Sequence, residues 1–294
     1  MRVGVGLPTT LPGMGGAAVI EWARRADSGP FSSLGVLDRL VYDSYDPLIS
    51  LAAAAAVTQR VRLATTIVIS PLHSPARLAK EAASLDALSG GRLVLGLAVG
   101  TRADDYAAAG VDYHTRGQRF VAGLAALRDY WEDPGFGPAP TQAGGPPLLV
   151  GGLSDSSFAR LARYADGYVH GGGPAKAFAR AADKACAAWT DAERPGRPQL
   201  WAQGYFAFGP TVEAGAAYLR DYYAFTGPFA DKIAAGLLTT PQAVAGFLRG
   251  YAEAGCDELI LFPTMADLAQ LDALAATLAA LGVTAQGVLG AEPA

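Results

Sequence analysis

The sequence predicts an α/β fold, a single (β/α)8 TIM barrel of parallel strands occupying residues 1–294 as one domain. Three observations lead there. Short apolar or β-branched runs alternate with stretches of helical periodicity eight times along the chain, as a closed barrel requires. The same rhythm resumes after the turn-rich stretch 134–147, which makes that stretch a long loop inside one domain and not a linker. The first strand-to-helix turn, 8–16, lacks the Gly-x-Gly-x-x-Gly of an open dinucleotide-binding sheet.

Taken in order, residues 2–7 alternate as a strand that Pro8 stops, and 17–26 follow with helical spacing. Residues 34–37 read as the second strand, 47–58 as a helix opened by Pro47, and 61–70 as a β-branched third strand. The helix at 75–88 places Leu78, Ala79, Ala82, Leu85 and Leu88 on one face, and Ser89-Gly90-Gly91 ends it where left-handed backbone is wanted. The fourth strand is 92–98, a loop runs to about 115, and 120–131 is helical. Strands at 148–150, 167–170, 200–208 and 258–262 then alternate with helices at 156–164 and 175–189, two helical stretches at 212–225 and 242–254, and a last helix at 268–281.

Composition narrows the function classes. Half the residues are apolar, enough for a large core, and the net charge of −4 comes from 27 acidic and 23 basic side chains with no run of either sign. That pattern excludes nucleic acid and an anionic membrane surface as expected partners. The first ten residues carry one basic side chain and too short an apolar run for a signal peptide, and 51–57 is too short to span a bilayer. Cys186 and Cys256 are far apart and form no metal-ligand spacing, so no metal is expected and a cytoplasmic location is the default.

Barrel active sites lie beyond the C-terminal ends of the strands, which singles out a few loops. After the third strand, Thr66-Ile67 and the segment Ser70-Pro71-Leu72-His73-Ser74-Pro75 form a polar lip on an apolar wall that could seat a flat ring. Locally the same residues also read as a plain strand end and helix start, leaving His73 on a surface loop. Gly151-Gly152 precede Ser154, Ser156 and a helix start, where free backbone N–H groups suit a phosphate; the alternative is an ordinary capped turn, and Asp155 would repel an anion if it pointed inward. Gly171 begins a second glycine-rich loop beside His170, the histidine expected nearest a pocket, whereas His114 reads as a surface residue. No metal motif or Gly-x-Ser-x-Gly elbow occurs, so the chemistry is expected to belong to a bound cofactor.

Within 75–100, the residues Pro75, Lys80-Glu81, Leu85-Asp86, Ser89-Gly90-Gly91-Arg92, Gly96 and Gly100 reproduce a long signature, and the stretch resembles that of the bacterial luciferase-like monooxygenase family. Leu37-Asp38, Asp105-Tyr106, Arg116-Gly117, Val150-Gly151-Gly152, Ala165-Asp166-Gly167 and Thr240-Pro241-Gln242 agree in order, so the resemblance runs nearly the whole chain. It implies a barrel that uses reduced FMN with oxygen, or the deazaflavin F420 for hydride transfer, and a homodimer built on the second and third helices. It places the cofactor ring by Asp38 and Thr66-Ile67, where many members have a bulge or a non-proline cis peptide, and the phosphate at Gly151-Gly152. The deazaflavin-dependent sugar-phosphate dehydrogenases it resembles carry a histidine and a glutamate where this chain has Arg39 and Thr101, so that activity is not implied. His73 stands where many members carry an arginine, and Arg102 and Asp104 replace the usual aromatic and acidic pair.

The expectation is therefore a two-component flavin monooxygenase served by a partner flavin reductase. Arg39, His73, Thr101 and Arg102 would line the substrate side, with His73 or His170 as the acid–base group. The alternatives are a deazaflavin-dependent reductase or dehydrogenase and a flavin-binding protein without catalysis. The apolar strand ends suit a hydrophobic substrate, while Arg39 and Arg102 would suit a carboxylate or sulfonate.

Overall fold

The computed structural model describes residues 1–288. Strands β1 (Arg2–Gly6), β2 (Ser33–Val36), β3 (Arg62–Ile69), β4 (Leu93–Ala98), β5 (Leu148–Gly151), β6 (Gly167–His170), β7 (Gln199–Phe206) and β8 (Glu258–Pro263) pair in parallel in chain order and close into a barrel. The (β/α)8 fold expected from the alternation is the fold observed. Helices α1 (Gly16–Ser28), α2 (Pro47–Ala55), α3 (Pro75–Ser89), α4 (Ala103–Ala108), α5 (Arg116–Glu132), α6 (Asp155–Tyr164), α7 (Ala175–Asp191), α8 (Val212–Tyr222), α9 (Phe229–Ala235), α10 (Pro241–Glu253) and α11 (Leu268–Ala280) connect the strands. A hairpin of β9 (Val283–Thr284) and β10 (Gly287–Val288) folds back beside the start of β1. No helix among the described residues is long and apolar enough to cross a membrane.

Local chemistry sets the helix starts that matter for the loops. The Asp46 carboxylate accepts from the Ile49 N–H at 2.8 Å ahead of Pro47, and α3 opens on Pro75 and ends on Gly90 at φ 69°. Two helices fall where the periodicity was unreadable. Residues 99–115, expected as loop, hold α4, and the stretch read as helical to 225 stops at Tyr222, is broken at Gly227-Pro228, and resumes as α9. Both are too short to show an apolar stripe of two turns.

Strand alternation divides the core in two. Inside the barrel, Ala64, Val94, Leu149, Val169, Trp201, Ile260 and Phe262 fill the lumen. Outside, Val3, Leu34, Leu63, Leu93, Phe178 and their neighbours pack against the helices. The lumen is roomy enough for the large side chains of β7 and β8 only because glycines face them: a Cβ on Gly6 or Gly35 would come within 3.0 Å of the Phe262 ring. On β3 the pairing with β4 shifts between Thr65 and Val68, and the Thr66–Ile67 peptide bond is cis. The bulge leaves both Thr66 and Ile67 facing the upper lumen, while Val68 returns to the outer layer.

Candidate active site

At the C-terminal end of the strands a cleft of about 170 Å³ is lined by β2 and its loop (Leu37, Asp38, Arg39), β3 (Thr66, Ile67, Ile69), the β4 loop (Gly100, Thr101, Arg102), Gln203 of β7, and a cap formed by Tyr222, Tyr223 and Phe225. Six of the residues singled out in the sequence thus share one cleft: Asp38, Arg39, Thr66, Ile67, Thr101 and Arg102.

Asp38 sits where β2 ends, and its carboxylate accepts from the Ile69 N–H at 2.8 Å, tying the second strand's exit to the third's. Burial raises its pKa to about 6, partly opposed by that N–H and by His73. Next to it the Arg39 guanidinium lies between the rings of Tyr42 and Tyr222, at 4.7 and 5.1 Å from their centroids. It donates to the carbonyls of Tyr222 at 3.2 Å and Val41 at 2.9 Å, so it clamps the cap onto the β2 loop. Asp105, fully buried at the start of α4, accepts from the N–H groups of Leu40 and Val41 through Oδ1. Its Oδ2 stands 3.7 Å from Arg39 Nε and 3.6 Å from Arg102 Nε. Arg102 also pairs with Asp104 and lies over the Phe225 ring at 4.6 Å.

The cap has its own tyrosine lattice. The hydroxyls of Tyr205 and Tyr223 share a hydrogen bond of 2.5 Å, Tyr42 donates to Asp221 at 2.7 Å, and Tyr218 meets Thr10 at 2.8 Å. Burial pushes the phenols of Tyr205, Tyr222 and Tyr223 above their ordinary pKa, so they stay protonated donors.

The remaining singled-out residues lie outside the cleft lining. His73 is half-buried just past the end of β3. His170 is buried on the outer side of β6, edge-on to Phe178 at 5.8 Å, with Nδ1 accepting from the Gly172 N–H at 3.2 Å. Burial lowers its pKa to about 4, so it is a neutral packed imidazole, outside the cleft lining in which the sequence reading offered it as an acid–base group. The inward position on β6 belongs to Val169, one residue earlier. Gly151 backs onto Ile67, and beyond it Gly152, Ser154 and Ser156 form an exposed turn into α6. Ser154 Oγ is bonded to Ser156 Oγ and Ser157 Oγ at 2.9 Å, and Asp155 points away to Lys184 at 3.0 Å, which removes the carboxylate that would have opposed an anion there. Gly171 is exposed, with open space where a side chain would be, and its carbonyl accepts from Gln203 Nε2 at 3.2 Å.

Gln203 is the residue the sequence reading missed. It is 4% exposed, and its Oε1 has no hydrogen-bond donor. A buried acceptor left open beside a flat wall at Ile67 fits a planar ring carrying an N–H edge, as a flavin or deazaflavin does. Its signal was a lone amide between inward-facing Trp201 and Tyr205 on a strand of period two.

The comparisons with known proteins agree with this architecture. The family model described as luciferase-like monooxygenase matches residues 1–280. An uncharacterized protein of Mycobacterium tuberculosis is 34% identical over 190 residues, which cover 52% of this chain and 65% of that relative. The oxygenase component of a flavin-dependent trigonelline monooxygenase from Acinetobacter baylyi is 36% identical over 89 residues, 30% of this chain and 25% of its own. Among solved structures, an F420-dependent secondary alcohol dehydrogenase in complex with an F420-acetone adduct superposes with a TM-score of 0.77 over 95% of this chain and 98% of that one; at 16% identity it is a likeness of fold. With a family model matching residues 1–280, the chain belongs to the luciferase-like monooxygenase family.

Proposed function

We propose that the protein is the oxygenase component of a two-component flavin monooxygenase that takes reduced FMN and oxygen to a small organic substrate. The observation that supports a flavin-type ring in the cleft is the open acceptor at Gln203 Oε1, buried against the Ile67 wall, and the likeness to the oxygenase component of a flavin-dependent monooxygenase favours FMN over a deazaflavin. Reduced FMN held there would supply the two electrons with which oxygen is split between the substrate and water. Gln203 and the Ile67 face would hold the ring, and the turn Gly151-Gly152 with Ser154, Ser156 and the nearby Gly171 would take the phosphate. Asp38 stands where a proton can be held near neutral pH, with His73 as its neighbour in charge. The capping tyrosines exclude water. The name of the trigonelline relative, an oxygenase component, supports a separate flavin reductase as partner. The same reading expects a homodimer across α2 and α3, where Ile49 and Leu88 stand exposed.

Anaerobic titration with reduced FMN and, separately, reduced F420 tests it. Reduced FMN is expected to bind with a Kd of about 10 μM or tighter, and Gln203→Leu to weaken it about tenfold without lowering the unfolding midpoint. Tighter F420 binding would transfer the cleft to deazaflavin chemistry, and binding of neither would remove the cofactor assignment.

A further inference from the structure

We infer that the substrate of this cleft is an uncharged, largely apolar molecule, and that Asp104 and Asp105 are specificity-determining residues that cancel the two arginines at its mouth. The inference rests on the proposed function in taking the side of the cleft at Arg39, Thr101, Arg102 and Phe225 for the substrate, with the ring on the side of Gln203 and Ile67.

Arg39 and Arg102 together resemble a receptor for a carboxylate, yet each already faces a carboxylate of the chain. The two terminal nitrogens of Arg39 already donate to the carbonyls of Tyr222 and Val41. Its Nε–H lies 3.7 Å from Asp105 Oδ2, and Arg102 Nε lies 3.6 Å from the same oxygen. The other side of Arg102 is taken by Asp104 and by the face of Phe225. Two guanidiniums therefore meet two carboxylates, and Asp38 adds a further carboxyl to the same lining. An incoming anion would gain no uncompensated positive charge and would lose its hydration on entering, which disfavours it against a neutral molecule of the same shape.

The rest of the lining favours such a molecule. Leu37, Ile67, Ile69, Tyr223 and Phe225 present apolar or aromatic surface. Leu40 and Val41 extend it outward, 52% and 43% exposed at the rim.

Benzamide and benzoate, equal in shape and opposite in charge character, test the inference by ligand-observed NMR on the purified chain near neutral pH. Benzamide is expected to bind at least about tenfold tighter than benzoate, and Thr101→Trp, which narrows the mouth, to abolish its binding. Asp104→Asn and Asp105→Asn are expected to shrink or reverse the preference, because each exposes a positive charge to the ligand. Asp104→Asn alters a half-exposed side chain and folds; Asp105→Asn keeps the acceptor for the Leu40 and Val41 N–H groups. Benzoate binding as tightly as benzamide, an unchanged ratio in both variants, or no benzamide binding would overturn it. The ratio is read without cofactor, so its outcome is separate from that of the flavin titration.

Discussion

The two mouths of the barrel both bury charge, and they treat it differently. At the N-terminal mouth the carboxylate of Glu258, fully buried, accepts from Ser32 Oγ at 2.5 Å and Ser33 Oγ at 2.6 Å through one oxygen. Its other oxygen meets Arg2 at 3.0 Å and Arg62, whose guanidinium lies over Trp201. Both oxygens have their donors. At the C-terminal mouth Asp105 Oδ2 only faces Arg39 Nε and Arg102 Nε, at 3.7 and 3.6 Å, and Gln203 Oε1 is buried with no donor at all. A closed polar network rigidifies a fold, whereas open buried groups mark where a ligand has still to arrive. The difference assigns stability to the lower mouth and recognition to the upper, the usual division in this architecture.

The largest effect should come from breaking the lower network. Glu258→Ala strands Arg62 beneath the lumen and removes the acceptor of two serines, so it should cost about 3 kcal/mol in denaturant unfolding while leaving cleft affinities of the folded fraction unchanged. A loss confined to ligand affinity would reverse the division. Cutting the upper clamp should cost less and act locally: Arg39→Met removes two hydrogen bonds and two ring contacts, for about 2 kcal/mol. Its sharper signature is faster amide exchange across 218–231, with no change in β1 or β8.

An effect of similar size, confined to a narrow pH window, arises within the upper half. Burial raises Asp38 from 3.8 to about 6, so the folded chain holds that proton more readily than the unfolded one and the group's contribution declines as pH rises from about 4 to 6. Burial lowers His170 from 6.5 to about 4, so its contribution is present above about 6.5 and is lost on acidification toward 4. The two oppose one another over the same window. Asp38→Asn removes the first, and the variant should lose stability on acidification more steeply than the parent, by on the order of 2 kcal/mol between pH 6.5 and 4. Parallel stability curves for the two proteins would contradict the raised pKa of Asp38.

The barrel was legible because each βα unit carries its own punctuation, as at Pro47, Pro75 and Ser89-Gly90-Gly91, and needs no distant partner to be read. The cleft was legible where it hangs on strand ends, at Asp38, Thr66-Ile67 and Thr101. It was opaque where it depends on contacts across the chain: Asp105 reaches Arg39 and Arg102 only once α4 is folded over the β2 loop. The aromatic cap at 218–225 read as ordinary helix, since nothing local says that its tyrosines face a lumen 180 residues earlier in the chain. His170 was misplaced for a different reason. The alternation Tyr168, Val169, His170 already puts the histidine outside once Val169 is recognised as lumenal.

The central claim is that the upper cleft holds the flavin. Amide hydrogen exchange measured anaerobically with and without saturating reduced FMN tests it most directly. Slowed exchange is expected at 66–69, 151–157, 171–172 and 203–206, with the lower mouth around 258 unchanged; protection confined to the lower mouth or to the outer helices would overturn the flavin seat.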